Sequence, residues 1–116
     1  WLKTDPTGSG SELRLILGDF NAYAMEDPVR WLRDEAGWVD AFAQAGVKQP
    51  YSYVYNGLAG RLDHALLSPA LAGKLRGAAE WHINADEPES QGYADGDHTQ
   101  PWRSSDHDPL LLGFDL

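Results

Sequence analysis

Cysteine is absent from the 116 residues, and methionine occurs once, as Met25. Without a thiol the chain has no disulfide framework, no thiolate zinc site and no cysteine nucleophile. Positive charge is scarce too: 9 Lys and Arg stand against 18 Asp and Glu, a formal net charge of −9. Such a chain does not grip nucleic acid by bulk charge alone, and a phosphate-bearing substrate would need a cation to screen the carboxylates. Long apolar runs are missing as well. Stretches such as Leu110–Leu112 fall far short of what spans a bilayer. What remains is ordinary globular composition, 42% hydrophobic and 23% charged, at a length that suits one compact domain. Because the lone Met25 sits inside a chemical motif and the sequence opens at Trp1, the expectation is a piece of a longer polypeptide. Any signal segment would then lie upstream.

Residues 1–12 carry Pro6, Gly8 and Gly10 and form a loop. Leu13–Leu17 is a short apolar strand that stops at Gly18. Asp27-Pro28 opens a helix, with Asp27 as N-cap and Gly37 as the exit. Tyr51–Tyr55 alternates strictly and meets the turn signal Asn56-Gly57, so a hairpin is expected, with Arg61–Leu67 as its return strand. Ser68-Pro69 starts a second helix that ends near Arg76 and Gly77. Trp81–Ile83 is expected as a strand, residues 84–109 as a long acidic loop, and Leu110–Phe114 as the last strand. Strands alternating with helices indicate an α/β layer arrangement.

Three carboxylate-bearing spots fall at strand ends, where layered α/β proteins present catalytic groups. In Gly18-Asp19-Phe20-Asn21 the acid and the amide are two residues apart, on one side of an extended loop. Asp19 can hold a metal or a water, and Asn21 can donate to a phosphoryl oxygen; an ordinary Asx-turn would use the same residues. Asp63 lies in the apolar run Leu62–Leu67, and a buried carboxylate must be paired. Its partner is either Arg61 or a backbone amide, or else a histidine that it orients. The third spot is Ser104-Ser105-Asp106-His107-Asp108-Pro109. There His107 is the natural partner of Asp63, and Asp106 offers oxygen to a hard divalent ion.

Taken in this order, Gly18-Asp19-Phe20-Asn21, Arg61-Leu62-Asp63-His64 and Ser105-Asp106-His107 resemble the markers of the endonuclease/exonuclease/phosphatase superfamily, the group of deoxyribonuclease I and the abasic-site endonucleases. Asn21-Ala22-Tyr23, Tyr51-Ser52-Tyr53 and Trp81–Pro88 look most like bacterial predicted extracellular nucleases. The resemblance implies a four-layer α/β sandwich, of which residues 1–116 would be the C-terminal half: one mainly antiparallel or mixed sheet with flanking helices. It also implies phosphodiester hydrolysis with Mg²⁺, or Mn²⁺ or Ca²⁺ in its place. Asp19 would activate the attacking water and touch the metal. Asn21 would hold the scissile phosphate, and Asp63 would fix the tautomer of His107, which contacts the phosphate and assists proton movement. Asp106 would be a metal ligand. The family's N-terminal half, with its metal-binding Glu, an early Asn and a second His, has no counterpart here. A two-sheet sandwich needs roughly 200 residues or more. The fragment is therefore expected to be inactive alone and to be found with its missing half, as a dimer or domain-swapped. The implied substrate is nucleic acid and the implied location extracellular or periplasmic. A phosphatase, a phospholipid phosphodiesterase and a non-catalytic structural fragment are the alternatives.

Other features carry two readings each. Tyr51, Tyr53 and Tyr55 could stack on bases, but packing is the favoured role. Asp86, Glu87, Glu89 and Asp95-Gly96-Asp97-His98 could bind Ca²⁺, although a solvated acidic loop is favoured. Trp31, Trp38 and Trp81 are expected in the core, and His64 and His82 as structural histidines. Arg61 and Arg103 either steer phosphate or neutralise adjacent acids.

Overall fold

A computed structural model describes all residues except 89 and 91–98. The described residues form seven short strands, β1 (Leu15–Asp19), β2 (Val39–Asp40), β3 (Tyr53–Tyr55), β4 (Leu58–Gly60), β5 (Asp63–Leu67), β6 (Leu75–Glu80) and β7 (Leu110–Phe114). Three single-turn helices, α1 (Asp27–Arg30), α2 (Ala41–Gln44) and α3 (Pro69–Ala72), interleave with them. All pairing is antiparallel, and it is divided among three small sheets rather than gathered in the one sheet expected: β1-β5-β2, the hairpin β3-β4 and the ribbon β6-β7.

The central strand β5 has neighbours on both edges, and its residues from His64 to Leu67 are buried. That position explains its near-continuous apolar sequence. Its register against β1 runs from Leu15 opposite Leu67 to Asp19 opposite Asp63, so the two carboxylates arrive side by side. Phe42 of α2, Ala65 and Leu67 of β5, and Leu71 and Ala72 of α3 make the core, against which Leu110, Leu112 and Phe114 of β7 pack. β1, by contrast, is an edge strand. Leu13, just before it, and Leu15 and Leu17 along it are 39%, 37% and 53% exposed, which leaves an apolar margin on that side.

Several expected elements are corrected. The return strand of the tyrosine hairpin is Leu58–Gly60, not Arg61–Leu67. Asn56 and Gly57 adopt φ of 49° and 76°, the two left-handed residues of a tight two-residue turn. That turn closes the hairpin at once and frees β5 for the larger sheet. The helix at Pro28 is capped at Glu26 rather than Asp27, and it rewinds as a π turn over Trp31–Glu35 before Gly37, at φ 75°, ends it. Ser68 does cap the next helix, its Oγ accepting from the Leu71 amide at 3.3 Å, but that helix ends at Gly73. Residues 75–80 are strand instead, held by β7 although Ala and Gly disfavour it. Trp81–Ile83 lies beyond β6 and is not a strand, and Trp81 and Trp31 are 55% and 60% exposed rather than in the core. Trp38 is buried. β2 and α2 were not foreseen.

Candidate active site

Asp19 ends β1, and the chain beyond it stays tied to β5 for one more step, the Phe20 amide donating to the Leu62 carbonyl at 2.9 Å. It then turns. Asp19 Oδ1 accepts from the Asn21 amide at 2.8 Å, while Asn21 stands at φ 47°, a left-handed conformation that Asn tolerates better than most residues. The Asx-turn and the carboxylate–amide pair are thus one structure, because Asn21 Nδ2 also lies 3.4 Å from Asp19 Oδ2. Both residues are exposed.

Asp63 Oδ2 and His107 Nδ1 lie 2.6 Å apart. A carboxylate oxygen accepts, so Nδ1 carries the hydrogen of this bond and Nε2 stands outside the pair. Asp63 is held in turn by Ser52, a fully buried residue whose Oγ donates to the same Oδ2 at 2.7 Å. That hydroxyl also accepts from the Asp63 and Leu62 amides at 3.1 and 3.3 Å. His107 is fixed from the other side by an isolated bridge to Tyr53, whose ring lies 4.9 Å from the imidazole. Sequence reasoning missed Ser52. Its signal was a small hydroxyl between two aromatics in an alternating strand, where every second side chain turns inward. Ser52→Ala orphans two amides and one carboxylate contact, and it is expected to lower stability by about 1–3 kcal/mol, read from the urea midpoint.

Among the described residues, donor atoms of Asp19, Asp63 and His107 all lie within 4.8 Å of one another. The close Asp63–His107 contact uses the facing atoms of that pair, so no ion fits between them. Two carboxylates at the edge of such a cluster nevertheless suit a hard, largely hydrated cation, which takes oxygen ligands and keeps several waters. Asp19, exposed and acidic, is the residue here best placed to offer them. Asp106 is partly buried and not a member of the close cluster.

Arg61 pairs with Asp40 rather than Asp63, both side chains being almost fully buried. Arg103 donates to the Asn84 carbonyl at 2.8 Å. His64 is a buried structural histidine, its Nε2 2.8 Å from the Ala22 carbonyl, and burial lowers its pKa. His82 stacks on Tyr51 at 4.0 Å and bonds Asp108 through Nδ1 at 2.7 Å. The tyrosines do pack in part, Tyr53 against His107, although Tyr55 is 60% exposed. Of the candidate Ca²⁺ loop, Glu89 and Asp95–His98 lie outside the described residues, and Asp86 accepts from the Tyr51 hydroxyl at 2.9 Å. Burial, and then that bond, push Tyr51 up to about 12.

Glu80, at the end of β6, is pushed up to about 7 by burial. One of its oxygens has no partner among the described residues. A carboxyl raised in the folded state stabilises while it is protonated, and that contribution fades as pH climbs from its ordinary value of 4.5 to 7. Glu80→Gln is therefore expected to raise the melting temperature at pH 8 and to leave it little changed at pH 4. The gain should be of order 1 kcal/mol after allowance for solvent screening.

An imidazole oriented by one carboxylate, beside a second carboxylate and an amide at neighbouring strand tips, is equipment for proton transfer in hydrolysis. The model described as the Endonuclease/Exonuclease/phosphatase family matches residues 4–107, and the chain belongs to that family. The family implies a deoxyribonuclease I-like fold, and the short antiparallel sheets with few helices are a partial α/β version of it. Its activities are hydrolysis of phosphodiesters or of phosphate monoesters, generally with divalent metals. No curated protein and no solved structure matches the chain.

Proposed function

We propose that this chain is the C-terminal half of the catalytic domain of a secreted bacterial nuclease that hydrolyses DNA or RNA phosphodiesters with Mg²⁺. The observation that carries the reading is the Asp63–His107 hydrogen bond with the Asp19 carboxylate within reach of both. Asp19 orients and deprotonates the attacking water. Asn21 Nδ2 donates to a non-bridging oxygen of the scissile phosphate. Asp63 keeps a proton on His107 Nδ1 and stabilises the imidazolium, whose Nε2–H donates to the phosphate and gives its proton to the leaving oxygen as the P–O bond breaks. Asp19 would hold the cation, and Asp106, outside the close cluster, would reach it through bound water; the cation's chemistry is to offset charge gathering on the phosphoryl oxygens. The apolar margin of β1 supports the rest of the reading: the missing N-terminal half of the same polypeptide covers it and brings further metal ligands, so the fragment alone is inactive. Dimerisation or strand exchange through that margin is the alternative cover. The bacterial source and the extracellular or periplasmic location rest on resemblance.

Plasmid nicking and RNA degradation by the full polypeptide, with Mg²⁺ and with chelator, test the proposal. Chelator-sensitive cleavage is the expected result. Turnover of an inositol phosphate or sphingomyelin without nucleic-acid cleavage would move the substrate to the phosphatase or phospholipase branch. Activity in residues 1–116 alone would overturn the half-domain reading.

A further inference from the structure

Residues 82–85 and 103–108 are joined by a reciprocal clasp of buried polar side chains, beside the set that would touch substrate. Asn84 is only 2% exposed. Its Nδ2 donates to the His107 carbonyl at 2.7 Å, and its Oδ1 accepts from the Ser104 amide at 3.1 Å. Asp108, 3% exposed, returns the contact: its Oδ1 accepts from the Asn84 and Ala85 amides, each at 2.9 Å. The Asp108 amide in turn donates to the Ser52 carbonyl at 2.8 Å. Ser52 holds Asp63, and Asp63 holds His107. The bonds close a ring around the imidazole.

We infer that Asn84 is a positioning residue for His107, setting the peptide from which the imidazole reaches Asp63. The inference rests on the hydrolytic reading of the site. Among the described residues, 103–107 have no helix or long strand to fix them, and the His107 backbone is otherwise held by its bridge to Tyr53 and by its amide, which donates to Ser105 Oγ at 3.1 Å. The Asn84 amide supplies a donor to the His107 carbonyl and an acceptor for the Ser104 amide at once, on separate atoms. Aspartate there would set an oxygen against the His107 carbonyl, and alanine would orphan both groups in a buried place. Either change leaves every group proposed to touch substrate intact and lets the imidazole drift. A displacement near 1 Å from the reactive arrangement is enough to cost about 100-fold in rate.

In the full polypeptide, Asn84→Ala is expected to lower kcat for Mg²⁺-dependent plasmid nicking about 100-fold with KM unchanged. Asn84→Asp, which keeps the acceptor for Ser104 and loses the donor to His107, is expected to fall by a similar factor. The decisive reading is a double-mutant cycle with His107→Ala. Once the imidazole is gone, Asn84→Ala should change kcat no further, whereas general loosening of the fold would lower it again by the same factor. Additive losses overturn the inference. So does an unchanged kcat in Asn84→Ala while His107→Ala abolishes nicking, a result that leaves the hydrolytic reading standing. Failure of both Asn84 variants to fold also overturns it, since the residue would then hold the fold rather than the imidazole. Full nicking by His107→Ala removes the hydrolytic reading itself, and this inference with it.

Discussion

Asp63→Asn is expected to lower turnover of the full polypeptide on nucleic acid about 10³–10⁴-fold, with its melting temperature close to that of the parent. The amide would put either an N–H against the His107 Nδ1 proton or a neutral oxygen in place of a charged one. In the first case Nδ1 must accept rather than donate, so the ring cannot carry the second proton that Nε2 offers to the phosphate. In the second it loses the charge that stabilises an imidazolium. Ser52 and His107 share Oδ2, so the amide orientation that keeps an oxygen for Ser52 is the one that faces His107 with a neutral acceptor. Plasmid nicking measured beside a thermal melt separates chemistry from folding. Near-normal turnover would remove the Asp63–His107 pair from the mechanism.

Arg61→Ala is expected to cost about 3–5 kcal/mol, a large share of the stability of a small domain. Its guanidinium binds both oxygens of Asp40 and lies 5.2 Å over the Phe42 ring, inside the core that α2 and β5 share. Asp40 is also the N-cap of α2, accepting from the Phe42 and Ala43 amides. Burial alone would push this carboxyl up, but the Arg61 bonds and the two amides outweigh it and hold it below its ordinary 3.8. Such a group stabilises above 3.8, and the contribution is lost as pH falls through its lowered value. Removing Arg61 leaves an uncompensated buried charge, so the acid unfolding midpoint should move to higher pH. Urea titrations at pH 7 and at pH 4 check both statements: the variant should lose most at pH 7, where Asp40 is ionised. An unchanged urea midpoint at pH 7 would show that the pair contributes nothing net.

Much of the site was legible because its residues sit where alternation and breakers mark strand ends. Asp19 precedes a forced turn, Asp63 is a lone acid in an apolar run, and His107 stands just before the last strand. Their mutual approach was not in the local pattern, since it depends on the β1–β5 register. Arg61 misled for the same reason. It lies two residues from Asp63 in sequence, yet it turns to Asp40, whose caps and burial no short window reveals. The single-turn helices α2 and α3 and the Ala/Gly-rich strand β6 are held by tertiary contact rather than by propensity, so periodicity could not find them or give their lengths. Asn84 carried no chemical signature at all. Its importance follows from the peptides it meets, 20 and 23 residues further along the chain.

The antiparallel register that sets Asp19 opposite Asp63 joins segments separated by most of the first half of the chain. Closing so long a loop is slow and entropically costly, and the local turns that form quickly, such as Asn56-Gly57, contribute nothing to it directly. His107 joins only after a further excursion through residues 68–106. Recovery of catalysis would therefore be among the last events of refolding, later than hairpin signals and later than burial of Phe42. In the full polypeptide, a refolding experiment scored by turnover would time the docking of His107 against Asp63 rather than collapse.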